Sequence, residues 1–344
     1  MRLPIAERLT AQGLAGPPLK RPVDVAERLL AVQGQDPRGA RLAVRARTSG
    51  LSATDVDREL SEERSLLITW LNRGTLHLVR AEDYPLLQSL TTPPLLTSSS
   101  RRLRQEGVSE AAAERAMKTI ERALAADGPL SGAELRGRLE RAKAPVAGQA
   151  FIHLMFLSAL RGKTVRGPMV GKQHAYVLVE DWLGPLQPPD RDAALAELAR
   201  RYLVGHGPAD DRDLARWAGL PLRDARAGLA AIARELVERE DGLVELAKGP
   251  AVEPLPPPRL LGAFDPLLLG WTSREEVVGP HKLLVTVNGI FRPFALVGGR
   301  AVATWRFAAG KATIEHLEKV PAKHAKTLER DARAVEEFLN GQGG

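Results

Sequence analysis

The chain of 344 residues contains no cysteine. Disulfide bonds and thiolate metal sites are therefore excluded, and a reducing, cytoplasmic setting is expected. Aromatic side chains make up only 4% of the residues, so the cores must be built mainly from Leu, Ala and Val. No apolar run reaches the ~18 residues that would suggest a membrane-crossing helix. The opening MRLPIAERLTAQG also lacks the uninterrupted apolar stretch of a secretory signal. What remains is an ordinary globular composition, 44% hydrophobic and 26% charged, long enough for two to four domains.

Charge is plentiful and unevenly placed. The formal net charge is +7, but residues 1–166 carry a net +8 and residues 167–344 a net −1. A basic half attracts a polyphosphate and releases its counterions. A preference for arginine without any such partner gives the same count, so charge alone leaves nucleic-acid binding open.

Periodicity predicts a helix over residues 22–34, with Val25, Leu29, Leu30 and Val32 on one side. Pro37 should end any continuation of that helix. Residues 40–48 read as a second helix, and Ser52 as the cap of a third. SLLITWLNRGTLHLVR then reads as two strands around Asn72-Arg73-Gly74. Three helices followed by a β-hairpin make a winged helix. The same order recurs over 109–179, ending in a second hairpin with Gly167-Pro168 and Gly171 in its turn region. It recurs again from residue 191, where 221–240 reads as the last helix. TTPPLLTSSS and the following Arg101, Arg102 and Arg104 read as a flexible charged loop. PLPPP, residues 254–258, reads as a linker into strands with tight turns at Asn288-Gly289 and Gly298-Gly299. The expected fold is α+β and mainly α. It has three tandem winged helix-turn-helix domains (1–95, 96–185, 186–255) and a C-terminal antiparallel β-barrel with a closing helix (256–344).

Several side chains fall in patterns suited to DNA. Arg38, Arg41 and Arg45 share a face at helical spacing, as either phosphate ligands or a solvated face. Arg73, Thr75 and His77 alternate along a strand and so share a side. They suit contact with phosphate or base, or else belong to backbone-bonded local structure. Arg166, Lys172, Gln173 and His174 lie in the second hairpin, as groove contacts or as an ordinary wing. No second histidine or carboxylate stands at metal-ligand spacing from His77, so neither a metal nor another cofactor is expected. His206 and the Phe264-Asp265-Pro266 turn read as structural.

Five segments together resemble the winged-helix AlkZ/YcaQ-like DNA glycosylases. They are VQGQDPRGARLAVRAR (32–47), TWLNRGTLHLV (69–79), RYLVGHGPADDRDLARWAGL (201–220), LLGAFDPLLLGWTSR (260–274) and NGIFRPFALVGGRAVATW (288–305). The resemblance runs through nearly the whole chain in the family's order. It implies a C-shaped array of the three winged helices, and a catalytic Gln-x-Gln motif, here Gln33-Gly34-Gln35. Glycine replaces the usual aliphatic middle residue. The implied partner is double-stranded DNA carrying N7- or N3-alkylated purines, bound by a monomer near the bacterial nucleoid. A hairpin entering the groove at the lesion is also implied, and 164–179 is a candidate for it.

The implied chemistry is coherent. An N-alkylated purine is already cationic and leaves without a general acid. The enzyme has to stabilise an oxocarbenium-like sugar and aim a water, which oriented amide dipoles can do. Asp36 reads first as the cap of the turn before Pro37, with a base role as the alternative. No lysine in the motif offers a Schiff-base nucleophile, so a monofunctional hydrolase is expected. The competing reading is a non-enzymatic winged-helix regulator, which the fold alone favours. A self-resistance role beside a DNA-alkylating natural product would share the chemistry and differ in lesion.

Overall fold

Two stretches of chain, residues 1–56 and 192–344, cluster into one unit of the computed structural model, and residues 57–191 form the other. The described residues are 4–170, 173–187, 189–286 and 288–341. The fold is a mixed one of helix and antiparallel sheet.

The first stretch contains α1 (Ile5–Ala11), α2 (Pro22–Leu29), the short strand β1 (Val32–Gln33) and α3 (Pro37–Arg45). Helix α4 (Ala53–Ser61) then leads out of it. Pro22 opens α2 in the first turn, where a missing N–H costs nothing. The expected helix over 22–34 is shorter than its apolar pattern. Leu30 takes a left-handed φ of 62° while fully buried, so the chain turns there and Val32 and Gln33 become strand. Pro37 does not break a helix. It occupies the first position of α3, with Asp36 as the cap.

The second unit opens with β2 (Leu66–Leu71), a 3-10 turn at Asn72–Gly74 and β3 (Thr75–Arg80). This is the hairpin expected from the Asn-Arg-Gly turn, with Leu71 opposite Thr75 and Thr69 opposite His77. Then come α5 (Tyr84–Thr91), α6 (Pro93–Gln105), α7 (Glu110–Asp127), α8 (Gly132–Arg141) and α9 (Ala150–Leu160). The unit ends with β4 (Thr164–Val170), β5 (Gln173–Leu178) and α10 (Val179–Leu183). Its strands lie in the order β3–β2–β4–β5. Ser109 caps α7, and Ser131 with Glu134 forms a capping box on α8. Trp70, Ile120, Leu135, Leu154 and Tyr176 are buried in its core. The segment expected to be a flexible charged loop is helical. Pro93 is tolerated in the first turn of α6, and Arg101, Arg102 and Arg104 stand on that helix.

Back in the first unit, α11 (Arg191–His206), α12 (Asp211–Ala218) and α13 (Leu222–Ala231) precede the small hairpin β6 (Leu236–Glu238) and β7 (Val244–Leu246). The helix expected to continue to residue 240 ends at Ala231, and β6 takes its last residues. A four-stranded antiparallel sheet follows, made of β8 (Arg259–Leu261), β9 (Phe294–Val297), β10 (Arg300–Ala308) and β11 (Lys311–His316). The short α14 (Glu275–Val278) lies between β8 and β9, and α15 (Ala322–Leu339) closes the fold. The sheet order is β11–β10–β9–β8.

This sheet is open where a barrel was expected: among the described residues β8 and β11 are edges. Strands β8 and β9 are only three and four residues long, and the described residues of the alternating segment before β9 do not join them. Lys282–Leu284 is a 3-10 turn there, and Val285 meets Phe291 in a single bridge. Leu42 of α3 is buried in one cluster with Leu260, Trp305, Leu328, Val335 and Phe338, so α3 is seated on the sheet and α15.

Candidate functional site

The Gln33-Gly34-Gln35 motif sits between the left-handed turn at Leu30 and the start of α3. Gln33 and Gly34 are buried and Gln35 is exposed. Both glutamines make polar interactions. Asp36 completes the turn: its Oδ1 accepts from the backbone N–H groups of Arg38 at 2.9 Å and Gly39 at 3.2 Å. This is the capping role expected first, and it places the carboxylate next to the motif on the helix terminus.

Helix α3 is held from several sides within its unit. A Cβ added to Gly39 would lie 2.4 Å from the carbonyl oxygen of Ala263, and one added to Gly262 would lie 2.9 Å from Leu42 Cβ. The helix and the 262–263 turn therefore touch almost backbone to backbone. At the other end, Arg45 forms a forked pair with Asp331, whose Oδ2 also accepts from Leu260 N–H. Arg47, just beyond the helix, is fully buried and pairs through both terminal nitrogens with Asp265. It also donates to the backbone oxygen and Oε1 of Gln12, while Gln12 donates to the Gly205 carbonyl.

The arginine series of α3 does not form one exposed face. Arg38 is exposed, with a long 3.5 Å contact to the Phe307 carbonyl. Arg41 is buried and donates to Pro37 one turn back. Arg45 is engaged by Asp331. Asp265 belongs to a structural turn, as the Phe-Asp-Pro setting suggests, but nothing in the sequence marks Arg47 as its partner.

In the β2–β3 hairpin, Arg73 takes a left-handed φ of 58° in the turn. Thr75 Oγ1 donates to the Asn72 carbonyl. His77 is buried, its Nδ1 2.9 Å from the Thr75 carbonyl oxygen. A carbonyl only accepts, so Nδ1 carries the proton and Nε2 is left as an acceptor. Burial and the nearby Arg73 charge push the imidazole pKa down to about 3. His77 is thus a neutral, backbone-bonded histidine rather than a cation for phosphate. Thr69 and Asn72, not singled out in the sequence, are buried beside these residues with side-chain polar atoms that have no partner. A lone threonine inside the otherwise apolar strand LLITWL, followed by an asparagine at the start of its turn, is the available signal.

In the β4–β5 hairpin, Arg166 lies between the rings of Trp70 and Tyr176 and donates to the Tyr176 hydroxyl at 2.7 Å. It braces the sheet. Gln173 is exposed near the tip, and His174 Nδ1 contacts the Gly167 carbonyl at 3.2 Å. Gly167 approaches the Trp182 ring so closely that a Cβ would come within 2.9 Å. Lys172 and Gly171 lie outside the described residues. His206 is structural, stacked on Tyr202 with centroids 4.8 Å apart. Among the described residues no cluster of three or more His, Asp or Glu side chains is arranged to hold a metal ion. No described helix is long and apolar enough to cross a membrane.

Comparison with known proteins gives one consistent result. Residues 26–338 match the family model described as DNA glycosylase AlkZ-like. An interstrand DNA cross-link repair glycosylase of Streptomyces sahachiroi is 28% identical over 339 residues, covering 91% of this chain and 89% of the relative. The solved structure of the Streptomyces sahachiroi DNA glycosylase AlkZ superposes with a TM-score of 0.79 at 27% identity, over 98% of this chain and 95% of that one.

Proposed function

The chain belongs to the AlkZ-like DNA glycosylases, and from that premise we propose that it excises N7- or N3-alkylated purines from double-stranded DNA, using Gln33 and Gln35 as its catalytic amides. It is a DNA glycosylase acting in repair, not the regulator that winged helices alone would favour. The observation that carries the substrate reading is the state of Asp36. Its Oδ1 accepts from the first N–H groups of α3, which supports a capping role for the carboxylate and leaves the two amides as the motif's groups for the chemistry. Amides cannot protonate a neutral base, but they can stabilise a sugar cation and orient water once a cationic base departs. The relative is named for interstrand DNA cross-link repair, which supports bulky adducts as the preferred lesion here.

The order of helices and hairpins supports three winged-helix units on duplex DNA, and the family resemblance supports a monomer. Arg38, exposed beside the motif, is the α3 side chain best placed to meet phosphate. Arg73, Thr75, Gln173 and His174 supply further contacts from the two hairpins. Arg41, Arg45 and Arg166 act by holding the scaffold, since their guanidinium groups are engaged within it.

The substrate reading is tested by incubating the protein with duplexes carrying 7-methylguanine, a bulky N7-alkylguanine or an N7–N7 interstrand cross-link. Release of the alkylated base, with unmodified guanine untouched, is expected. No release from any of the three would overturn the proposed substrate class.

A further inference from the structure

Phe264 holds a backbone conformation that its side chain disfavours. Its φ is 58°, in the left-handed region where a Cβ is crowded and glycine or asparagine is the usual occupant. A turn alone would be better served by glycine, so the phenyl ring offsets the strain with an interaction of its own. Strained residues of this kind cluster at ligand sites. Asp265, next in the chain, is accounted for by its pairing with Arg47. The Phe264 ring is not, because it stays only half-buried.

Two further side chains join it. The rings of Phe264 and Phe291 lie 5.5 Å apart between centroids, tilted by 41°. The Arg274 guanidinium carbon stands 5.2 Å from the centre of the same Phe291 ring. Phe291 is buried, whereas Arg274, like Phe264, is half-buried. Arg274 Nε donates to the Leu268 carbonyl at 2.8 Å. Among the described residues its two terminal nitrogens have no hydrogen-bond partner, and no carboxylate pairs with it. Burial and the charge of Arg216, on α12, push its pKa down. A guanidinium nonetheless keeps its proton, so a cation is held here beside another cation without a counter-ion. The free pair of terminal nitrogens is the part of arginine that matches a phosphate in a forked contact.

This cluster lies wholly within the first unit, beside α3. A Cβ on Gly39, in the first turn of α3, would lie 2.4 Å from the carbonyl oxygen of Ala263, the residue before Phe264. The Gln33-Gly34-Gln35 motif leads into that same turn.

We propose that Phe264 and Arg274 bind the lesion-bearing strand, the Phe264 ring lying against the face of the alkylated purine and Arg274 pairing with a backbone phosphate. This inference rests on the glycosylase reading of the substrate and adds the contacts that recognise it. The positive charge of an N-alkylated purine strengthens its attraction to the negative face of the ring. A phosphate supplies the counter-ion that Arg274 lacks. Neither group takes part in bond cleavage, so both act on binding rather than on the chemical step.

The test is single-turnover release of 7-methylguanine from duplex DNA over a range of protein concentrations, by wild type, Phe264→Leu and Phe264→Tyr. It is joined by the salt dependence of unmodified duplex binding for wild type and Arg274→Gln, with melting temperatures for all. Phe264→Leu keeps an apolar side chain but no ring. It is expected to raise the concentration for half-maximal rate about tenfold and to leave the maximal rate within a few-fold. Phe264→Tyr keeps the ring and should stay close to wild type. Arg274→Gln should weaken duplex binding and lower the slope of log affinity against log salt by about 1. An unchanged half-saturation in Phe264→Leu, or equal losses in Phe264→Leu and Phe264→Tyr, would overturn the aromatic contact. An unchanged salt slope in Arg274→Gln would overturn the phosphate contact. A wild type that releases no alkylated base would overturn the substrate reading, and the inference with it.

Discussion

Arg47 and Asp265 stand 218 residues apart in the chain and meet as a forked ion pair, with two N···O distances of 3.0 Å and both side chains wholly buried. The pair ties the end of α3 to the turn before the C-terminal sheet, so the helix whose first turn follows the glutamine motif cannot drift. Removing one partner strands a charge in the interior. Asp265→Asn should cost about 3–5 kcal/mol in a denaturant titration. A double replacement, Arg47→Met with Asp265→Leu, should recover much of that loss, because a packed apolar pair avoids the desolvation of two ions. Equal stability of Asp265→Asn and wild type would show that the pair does not hold the helix.

Gly39 makes a second prediction. The backbone of the 262–263 turn occupies the space of its missing side chain, and a methyl group there would lie 2.4 Å from the Ala263 carbonyl oxygen. Gly39→Ala should lower stability by about 1–3 kcal/mol through overpacking. It should also slow base release by shifting the start of α3. Alanine normally favours a helix over glycine, so a gain in melting temperature would contradict the close approach.

Asp36 separates capping from catalysis. Asp36→Asn keeps an oxygen for the two backbone N–H groups and should retain activity within a few-fold. Asp36→Ala should lose about 1 kcal/mol of stability as a lost cap. A collapse of activity in Asp36→Asn with stability intact would make the carboxylate the base.

Local features were legible in the sequence, and long-range ones were not. The Asn72-Arg73-Gly74 turn depends on a few neighbouring residues and lies as expected; the caps at Ser109 and Ser131 and the start of α2 at Pro22 are equally local. Pro37 and Pro93 are ambiguous in sequence because proline starts a helix as readily as it ends one, and both start one here. Leu30 carries no sign of its left-handed turn, since its burial matches a helical stripe equally well. Alternation before Phe294 suggests a strand, but a strand exists only with a partner, and a single bridge forms there. The partners of Arg45 and Arg47 lie 286 and 218 residues away, beyond any periodicity. The motif itself is visible only through resemblance, and the orphaned amide of Asn72 only through burial.

His77 gives a pH prediction. Its folded pKa of about 3 lies below the unfolded value of about 6.5, so the unfolded chain binds the extra proton at intermediate pH. Stability should therefore fall as pH drops below about 6.5, and the loss should grow until pH nears 3. Between about pH 8 and about pH 5 this single histidine should remove about 2 kcal/mol. His77→Gln should show a flatter stability profile than wild type over that range. Parallel profiles would mean that His77 is protonated in the folded protein.

The most direct measurement is single-turnover release of 7-methylguanine from duplex DNA by wild type, Gln33→Ala and Gln35→Ala, with folding checked by thermal melting. Each substitution is predicted to slow release by about 100-fold or more while the protein stays folded and still binds DNA. Release at the wild-type rate by both variants would contradict the central claim that these two amides perform the chemistry.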